Sequence, residues 1–293
     1  MDRYWRPDCT PEMAAALVAD VRRNAAKLAY QIDDDLLALP GDDPAAQAKR
    51  EIVAIFLRAA DGVLVSTAAL RARYAAHNAQ ISVVGNALDE QLLVQAEIST
   101  SANSPRLVLG YMGTHTHDAD LLLLLPALRE VAASVAVPLE LQIIGGVANS
   151  QTLTQLGQLP FLVTHLTPPT SEYPQFLPWF TANVDWDIAL ASLCDTPFNR
   201  AKSDIKFLDY AALGAPGIYS DLPVYNESVR HGQTGLLAAN ETDGWVAALR
   251  SLIEQPELRR ELAVNARRYL HSERVLAVRA ADWADALEAI WRG

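Results

Sequence analysis

The sequence predicts an α/β fold in which helices cover parallel β-sheets. Short aliphatic runs recur from about residue 27 to the end of the chain, and helix-length amphipathic stretches separate them. Strands that alternate with helices form right-handed βαβ units, whose parallel sheets are buried on both faces. The chain has 293 residues, of which 51% are apolar, and this length suggests two domains or one large domain.

Each predicted element follows from one of these two patterns. The aliphatic runs predict strands at 27–32, 62–66, 81–84, 106–112, 139–144, 161–166, 186–192 and 216–220. The amphipathic segments predict helices at 47–60, 67–76, 118–135, 173–182, 202–213, 223–230, 242–254, 256–270 and 274–291. An uninterrupted aliphatic run is typical of a strand that is buried on both faces.

A polar segment divides the chain into predicted domains. Residues 94–105 (VQAEISTSANSP) are rich in serine, lack periodicity and end in a proline, which is the composition of a linker. Residues 1–93 are expected to form a short, partial α/β domain, either a small accessory layer or a fragment of a larger domain. Residues 106–272 begin with a strand and a glycine-containing turn, as a Rossmann-type domain does. Residues 273–293 are expected to form a C-terminal helix that packs back toward the first domain.

The charge balance excludes several classes of partner. The chain carries 35 acidic and 24 basic side chains, a formal net charge of −11, whereas nucleic acids and anionic membranes attract basic surfaces. We therefore expect no nucleic-acid partner and at most a peripheral contact with a membrane. Residues 1–13 lack the apolar segment of a signal peptide, and the longest aliphatic run, 121–125, is far shorter than the ~20 residues that span a bilayer. Because Cys9 and Cys194 have no CxxC or metal-ligand spacing, a reducing cytoplasm is the expected compartment.

The turn after the strand at 106–112 is the first candidate ligand site. It holds Gly113, Thr114 and His117 immediately before an amphipathic helix. Glycine lets a backbone approach a ligand closely, and the start of a helix offers unpaired N–H groups to a phosphate. An ordinary structural turn fits the same pattern, because the G-x-G-x-x-G signature of dinucleotide sites is absent. The spacing of His115 and His117 also occurs in metal sites, but without further ligands nearby in sequence no metal is expected.

The second candidate is the predicted helix at 202–213. Lys202, Lys206 and Asp209 are spaced at i, i+4 and i+7, which places them on one face of a helix. Two cations and a carboxylate suit a phosphorylated ligand that is rich in hydroxyl groups, since the cations hold phosphate oxygens and the carboxylate accepts from hydroxyls. A solvated helix face with an ordinary Lys–Asp pair is the alternative. The other polar candidates in this region are Asn199 and Ser203.

At this point the sequence resembles a known family. Residues 187–237 (DIALASLCDTPFNRAKSDIKFLDYAALGAPGIYSDLPVYNESVRHGQTGLL) resemble the nucleotide-sugar half of the GT-B glycosyltransferases of the family-4, "group 1" type. The run GYMGTHTHDADLLLLLPAL is similar to the glycine-containing loop that opens the same domain. The resemblance covers about residues 106–272 and, more loosely, 27–92. It implies that a sugar is transferred from a nucleotide-diphosphate donor to an acceptor hydroxyl, without a required metal or other cofactor.

The resemblance also implies roles for the candidate residues. In this family the glycine loop and basic residues meet the diphosphate, and an acidic pair spaced E-x7-E meets the ribose and the donor sugar. Asp209 stands at the second acidic position, while Ala201 occupies the first, which departs from the pattern. The implied donor and phosphate contacts are Gly113, Thr114, His117, Asn199, Lys202, Ser203 and Lys206. No catalytic base is assigned.

The remaining candidates belong to the first predicted domain. Asp33, Asp34 and Asp35 follow the strand at 27–32, at the edge where α/β sheets place ligands. They are expected either to form a cation site or contact the acceptor, or to cap a helix and be solvated, and the last is favoured because adjacent carboxylates point in different directions. In the second domain, Trp179 and Phe180 either line a nucleobase pocket or anchor the core.

Three functions follow in order of preference. The first is a glycosyltransferase that uses a glycan or lipid-linked acceptor in polysaccharide or glycoconjugate synthesis. The second is a non-catalytic nucleotide-sugar-binding module, or a fragment of a larger glycosyltransferase, which Ala201 and the short first domain favour. The third is a phosphosugar enzyme of another kind, such as an epimerase or a phosphorylase relative. A partner domain or a homo-oligomer is compatible with each.

Overall fold

The computed structural model describes residues 3–39, 41–93, 98, 105–114, 117–147 and 149–293. By its contacts, the chain divides into two compact units. The first unit comprises Met1–Asn86, Thr196–Ser203 and Val278–Gly293, and the second comprises Ala87–Asp195 and Asp204–Ala277. Most of the predicted linker at 94–105 lies outside the described residues.

The first unit contains a three-stranded parallel sheet. Its elements up to residue 86 are α1 (Pro11–Arg23), β1 (Ala29–Ile32), α2 (Pro44–Ala59), β2 (Gly62–Val65), α3 (Ala68–Tyr74) and β3 (Ile81–Val83). The strands pair in the order β1-β2-β3. The sheet and helices bury an apolar core around Tyr30 and Phe56, both inaccessible to solvent. The three strands predicted in this part of the chain are confirmed, while α1 was not predicted.

The second unit contains a six-stranded parallel sheet with helices on both faces. Its strands are β4 (Leu107–Gly113), β5 (Leu139–Gly145), β6 (Leu162–Leu166), β7 (Ile188–Ala191), β8 (Gly217–Ser220) and β9 (Leu236–Ala238). Its helices are α4 (Asp118–Leu122), α5 (Leu125–Ser134), α6 (Ser150–Leu156), α7 (Tyr173–Asn183), α9 (Ile205–Leu213), α10 (Pro223–Asn226), α11 (Thr242–Glu254) and α12 (Pro256–Glu273). Helix α8 (Pro197–Arg200) lies between α7 and α9 in the sequence but belongs to the first unit.

The order of these strands is that of a Rossmann-type sheet. The strands pair as β6-β5-β4-β7-β8-β9, which is 3-2-1-4-5-6 when β4 is counted as the first. All the pairs are parallel. The chain leaves β4 toward one edge of the sheet and returns to β7 for the other edge, so β4 and β7 form the topological switch point. The predicted α/β class and Rossmann-type domain are confirmed.

Two predicted helices are interrupted. The segment predicted as one helix at 118–135 forms α4 and α5, with a proline at the start of α5. The segment predicted at 202–213 is a helix only from Ile205. Residues 197–200 form the separate short helix α8, which the Thr196 side chain caps by accepting from the Asn199 amide. The prediction that Lys202 shares a helix face with Lys206 and Asp209 is therefore wrong.

The chain ends in α13 (Leu276–Arg292), most of which belongs to the first unit. Ala286 and Ile290 are buried there against Leu64 and Val84. Gly62 permits this packing, because a Cβ at that position would lie 2.3 Å from Cγ1 of Ile290. None of the helices in the described residues is both long enough and apolar enough to cross a membrane.

Candidate functional site

The carboxyl ends of β4 and β7 define the candidate site of the second unit. Open α/β sheets bind ligands outside the strand ends at their switch point, because the loops there diverge and leave a crevice. The loop after β4 contains the predicted residues Gly113, Thr114 and His117. The loop after β7 begins with Ser192, whose side chain is inaccessible to solvent. The first predicted ligand loop therefore lies at the switch point of the sheet.

A buried histidine–aspartate pair joins these two loops. His117 Nδ1 lies 2.6 Å from Oδ2 of Asp120 on α4, and the two residues are 7% and 4% exposed. The other carboxylate oxygen of Asp120 accepts from the backbone N–H of Cys194 at 2.6 Å. The Ser192 hydroxyl donates to the backbone carbonyl of Asp120, also at 2.6 Å. Asp120 thus links the loop after β4 to the loop after β7.

Glycine is needed in the loop after β4 because His117 lies against it. A Cβ on Gly113 would be 3.1 Å from Cβ and Cδ2 of His117, which is closer than ordinary packing allows. Gly145, at the end of β5, has a φ of +64°, and a Cβ there would be 2.3 Å from the Gly113 carbonyl oxygen. The two strand ends can approach one another because Gly145 has no side chain, whereas a side chain at Gly113 would require His117 to shift.

Lys206 and Asp209 continue the charged cluster on α9. Lys206 is 8% exposed, and its ammonium lies 4.8 Å from the centroid of the Tyr111 ring. Its charge acts on the carboxylates of both Asp120 and Asp209. Titratable groups of alternating basic and acidic type therefore run from His117 through Asp120 and Lys206 to Asp209. The structure brings together the predicted residues His117, Lys206 and Asp209.

Asp209 is buried rather than open to solvent. It is 3% exposed, and its Oδ1 accepts from the Tyr173 hydroxyl of α7 at 2.5 Å. Burial raises the pKa of Asp209 to about 7, although the hydrogen bond from Tyr173 and the charge of Lys206 oppose the shift. Its predicted contact with ribose or sugar hydroxyls stays a prediction, and such a contact would compete with Tyr173.

We expect Asp209→Asn to gain stability relative to the wild type as the pH rises from about 4 to about 7. A carboxyl whose pKa is raised by folding contributes stability that is complete below its unfolded pKa, near 3.8, and is lost as the pH rises through the folded value. The amide cannot ionise, so the difference in unfolding free energy between variant and wild type should grow by up to about 1.4 kcal/mol per pH unit. Urea unfolding at about pH 5 and about pH 8 measures this difference.

Tyr173→Phe provides the matched comparison. It removes a hydrogen bond that favours the carboxylate, so the pH range over which stability falls should move upward. A difference between Asp209→Asn and the wild type that is equal at both pH values would contradict a raised pKa.

The other predicted residues lie in the first unit. The Lys202 ammonium is 3.8 Å from Oδ1 of Asp34 and 4.8 Å from the centroid of the Phe198 ring. Burial raises the pKa of Asp34, with Asp33 and Asp35 adding to the shift and Lys202 opposing it. The proposed role of Lys202 at a phosphate would therefore require it to leave Asp34.

The three neighbouring aspartates have separate partners. Asp33 accepts two hydrogen bonds from Arg3, at 3.0 and 3.1 Å. Asp35 accepts one from Arg73 at 2.9 Å. Among the described residues, no group of three or more His, Cys, Asp or Glu side chains is arranged to hold a metal ion. Acceptor contact at Asp33, Asp34 and Asp35 stays a prediction.

The structure explains why an acid is missing at position 201. Ala201 is 4% exposed and belongs to the apolar core of the first unit. Its carbonyl accepts from the Thr67 hydroxyl at 3.1 Å. A carboxylate in this position would enter the apolar core and lose its hydration, which is costly. Nearby, Ser203 Oγ accepts from the Asn86 side chain at 2.9 Å, and Asn199 is 8% exposed.

Of the two aromatic candidates, Phe180 is a core residue. Its side chain is inaccessible to solvent and stacks on Phe176 with the ring centroids 5.5 Å apart. It also contacts the buried Trp186 edge-on at 5.2 Å. Trp179 is only partly buried and extends the aromatic row on α7 beyond Phe176, at 6.1 Å.

Sequence reasoning did not find several residues that shape the site. Asp120 and Tyr173 are isolated polar residues in amphipathic segments, and no local pattern distinguishes them from surface positions. The Gly145-Gly146 pair directly after a predicted strand was an available signal of a close backbone approach. Cys194 is not part of a disulfide. Burial raises its pKa to about 11, so the thiol is protonated at neutral pH and unsuited to act as a nucleophile.

The strand order and the charged residues at the switch point define the second unit as a Rossmann-type α/β domain. The model of one family, described as "Glycosyl transferases group 1", matches residues 106–255. The chain belongs to this family. The matched segment begins one residue before β4 and ends just after α11, so it contains the switch-point loops and α9.

Individual relatives agree with this assignment. The D-inositol 3-phosphate glycosyltransferase of Rhodococcus erythropolis is 28% identical over 154 residues, which are 50% of this chain and 33% of that protein. The chain thus spans about a third of the length of this relative. Among solved structures, Anabaena Alr3699/HepE in complex with UDP-glucose aligns with a TM-score of 0.70 and 17% identity, over 96% of this chain and 77% of that chain. Sucrose-phosphate synthase from Thermosynechococcus elongatus aligns with a TM-score of 0.66 and 16% identity, over 97% and 78%.

Proposed function

We propose that this protein transfers a sugar from a nucleoside-diphosphate sugar to the hydroxyl group of a glycan or lipid-linked acceptor. The observation that carries the proposal is the Lys206 ammonium and the His117 imidazole, which lie beside the same carboxylate, Asp120, at the switch point of a Rossmann-type sheet. Nucleotide ligands bind at such switch points. Membership in the glycosyl transferases group 1 family supports the reaction type.

The proposed chemistry requires charge stabilisation more than any other contribution. The bond between the anomeric carbon and the diphosphate oxygen breaks, the acceptor oxygen bonds to that carbon, and the acceptor proton is released to a base or to the leaving phosphate. The diphosphate gains negative charge as it leaves. Preorganised cations at a site that excludes water stabilise this charge without reorganising. In the second unit, Lys206 and His117 are placed to do so.

UDP-sugars are the first donors to test, because HepE of Anabaena was crystallised with UDP-glucose. We propose that the protein groups neutralise the diphosphate without a metal ion, that the protein works in the cytoplasm, and that any membrane contact is peripheral. The excess of acidic side chains, 35 against 24 basic ones, supports the last point.

The test measures nucleotide binding and sugar transfer in one preparation. UDP, GDP and dTDP are titrated by calorimetry, with uridine as the control that lacks phosphates. We expect at least one diphosphate to bind and uridine to bind far more weakly, because the cationic groups contact the phosphates. Release of UDP from UDP-glucose, with and without an acceptor mixture, is then followed in the presence and absence of EDTA. We expect the rate to be unchanged by EDTA.

Other outcomes point elsewhere. Binding of a nucleotide without hydrolysis or transfer would favour a non-catalytic donor-binding module. Loss of turnover in EDTA, restored by a divalent cation, would refute the metal-free mechanism. If none of the three diphosphates binds, the glycosyltransferase proposal fails.

A further inference from the structure

The family resemblance assigns no role to Asp120 in the proposed reaction. Asp120 lies on α4 between the two loops of the switch point, 4% exposed. Its Oδ2 faces His117 Nδ1 at 2.6 Å, and its Oδ1 accepts from the Cys194 amide at 2.6 Å. Both carboxylate oxygens are therefore used, one for a side chain and one for the opposite loop.

The loop that Asp120 reaches is itself anchored. The Leu193 amide donates to Ser220 Oγ at 2.8 Å, and the Leu193 carbonyl accepts from the Asn240 side chain at 2.6 Å. The Ser192 hydroxyl donates to the backbone of Asp120. Because Asp120 is hydrogen-bonded to this anchored loop, its carboxylate holds the imidazole ring of His117 in one orientation. The Cγ and Cδ2 atoms of that ring lie beside Gly113. The ring of His117 is thus held by a hydrogen bond and by steric contact.

We propose that Asp120 is a positioning residue for sugar transfer: its carboxylate keeps His117 in the imidazolium form and fixes the direction of Nε2, so that a positive charge faces the donor diphosphate. This inference rests on the proposed function, because the charge of His117 matters only if a donor diphosphate binds beside it. A hydrogen bond at one imidazole nitrogen sets the tautomer and orientation of the other. An opposite charge in contact with an imidazole favours its protonated form.

The electrostatic surroundings are consistent with this role. Although burial opposes it, hydrogen bonds from His117 and from the Cys194 amide hold the pKa of Asp120 below its ordinary value. The carboxylate is therefore ionised at neutral pH. Among the described residues, the other titratable groups that act on Asp120 are Lys206 of α9, the neutral Cys194 thiol, and the hydroxyls of Tyr111 on β4 and Tyr225 on α10.

Asp120→Asn separates the charge of this side chain from its shape. The asparagine carbonyl can still accept from the Cys194 amide, so the loop is retained while the negative charge is removed. UDP-glucose is the probe, since its diphosphate has no ionisation between about pH 5.5 and pH 9. Its affinity is measured by calorimetry across this range for the wild type, Asp120→Asn, Asp120→Glu and His117→Gln. Asp243→Asn, an exposed aspartate on α11, is the matched control.

Asp209, whose pKa is about 7, titrates in the same range, so every protein in this comparison, the wild-type reference included, also carries Asp209→Asn. In that reference we expect affinity to fall through a single transition as the pH rises. Asp120→Asn should move that transition at least about one pH unit lower, as loss of an adjacent charge does, and weaken binding about tenfold at pH 7.5. At pH 5.5 the affinity of Asp120→Asn for UDP-glucose should be within about threefold of the wild-type affinity, because an imidazole is protonated at that pH without a neighbouring carboxylate. Asp120→Glu should restore part of the shift. His117→Gln should abolish the transition, and Asp243→Asn should leave it in place.

A second measurement needs no nucleotide. In ¹⁵N-histidine NMR spectra, the signal that His117→Gln removes should titrate at lower pH in Asp120→Asn than in the wild type. If the wild type binds UDP-glucose but Asp120→Asn keeps the same pH curve and the same His117 titration, the role of Asp120 is refuted and the proposed function stands. If neither UDP-glucose nor any nucleoside diphosphate binds to the wild type, the proposed function fails, and this role fails with it.

Discussion

Lys206→Met is expected to lower kcat/KM for sugar transfer about 10²–10³-fold, the cost of removing one preorganised group that stabilises developing negative charge. The fold should survive the change. Methionine fills a similar volume beside Tyr111, while Asp120 keeps its bonds to His117 and the Cys194 amide. Asp209, whose pKa is about 7, can take up a proton. Steady-state kinetics with the donor identified by titration measure the loss, and circular dichroism verifies folding.

Two other lysines serve as controls. Lys49 is exposed on α2, so Lys49→Met, an ordinary surface substitution, should change kcat/KM less than about twofold. Lys202→Met should cost less than Lys206→Met, because the Lys202 ammonium lies near Asp34. A tenfold or larger loss in Lys202→Met would show that this lysine leaves Asp34 to contact the donor. An activity of Lys206→Met close to that of Lys49→Met would contradict the assignment of Lys206 to the diphosphate.

Arg274→Met is expected to lower the free energy of unfolding by about 3–5 kcal/mol, the cost of removing one partner of a buried ion pair. The Arg274 guanidinium donates to both carboxylate oxygens of Asp204, at 2.7 and 2.9 Å, and Ser228 donates to the same carboxylate. The two charged residues are 8% and 7% exposed. Because Asp204 directly precedes α9, the loss should also loosen the helix that carries Lys206. Urea unfolding measures the stability.

Comparison with a neighbouring arginine tests whether the pair itself is responsible. Arg260 is exposed on α12, so Arg260→Met should change stability by less than about 0.5 kcal/mol. The double variant Arg274→Met with Asp204→Asn should be more stable than the sum of the two single changes predicts, because no buried charge is left alone. A loss of less than about 1 kcal/mol in Arg274→Met would show that the pair is largely solvated.

The strands could be predicted because burial on both faces of a parallel sheet requires continuous aliphatic sequence. Residues 62–65 (GVLV) and 188–191 (IALA) are such runs, and they form β2 and β7. By contrast, β9 is three residues long (Leu236–Ala238), too short for a pattern to emerge. The helix boundaries near residue 200 were missed for another reason. The helical spacing of Lys202, Lys206 and Asp209 was present, but Thr196 caps one short helix and Asp204, tied to Arg274, precedes the next.

The candidate site could be predicted only where a local pattern marks it. The glycine and histidine of GYMGTHTH stand directly after a strand, so their place at a strand end followed from the sequence. No local pattern identifies Asp120 or Tyr173. Asp120 contacts Cys194, which is 74 residues away in sequence, and Tyr173 contacts Asp209, which is 36 residues away. A hydrogen bond across such a distance depends on how the strands are ordered, which no local window contains.

By itself, the sequence determined the α/β class, the Rossmann-type second unit, the short first unit and the resemblance to glycosyltransferases, since all of these depend on periodicity and contiguous motifs. Only the tertiary structure decided which charged residues meet. It assigned Lys202 and Ala201 to the first unit with Asp34 and Thr67, and Lys206 to the second with Asp120 and Asp209. The physical reason is that the energy of a charge depends on burial and on distance to its partners, and both are set by packing between elements remote in sequence.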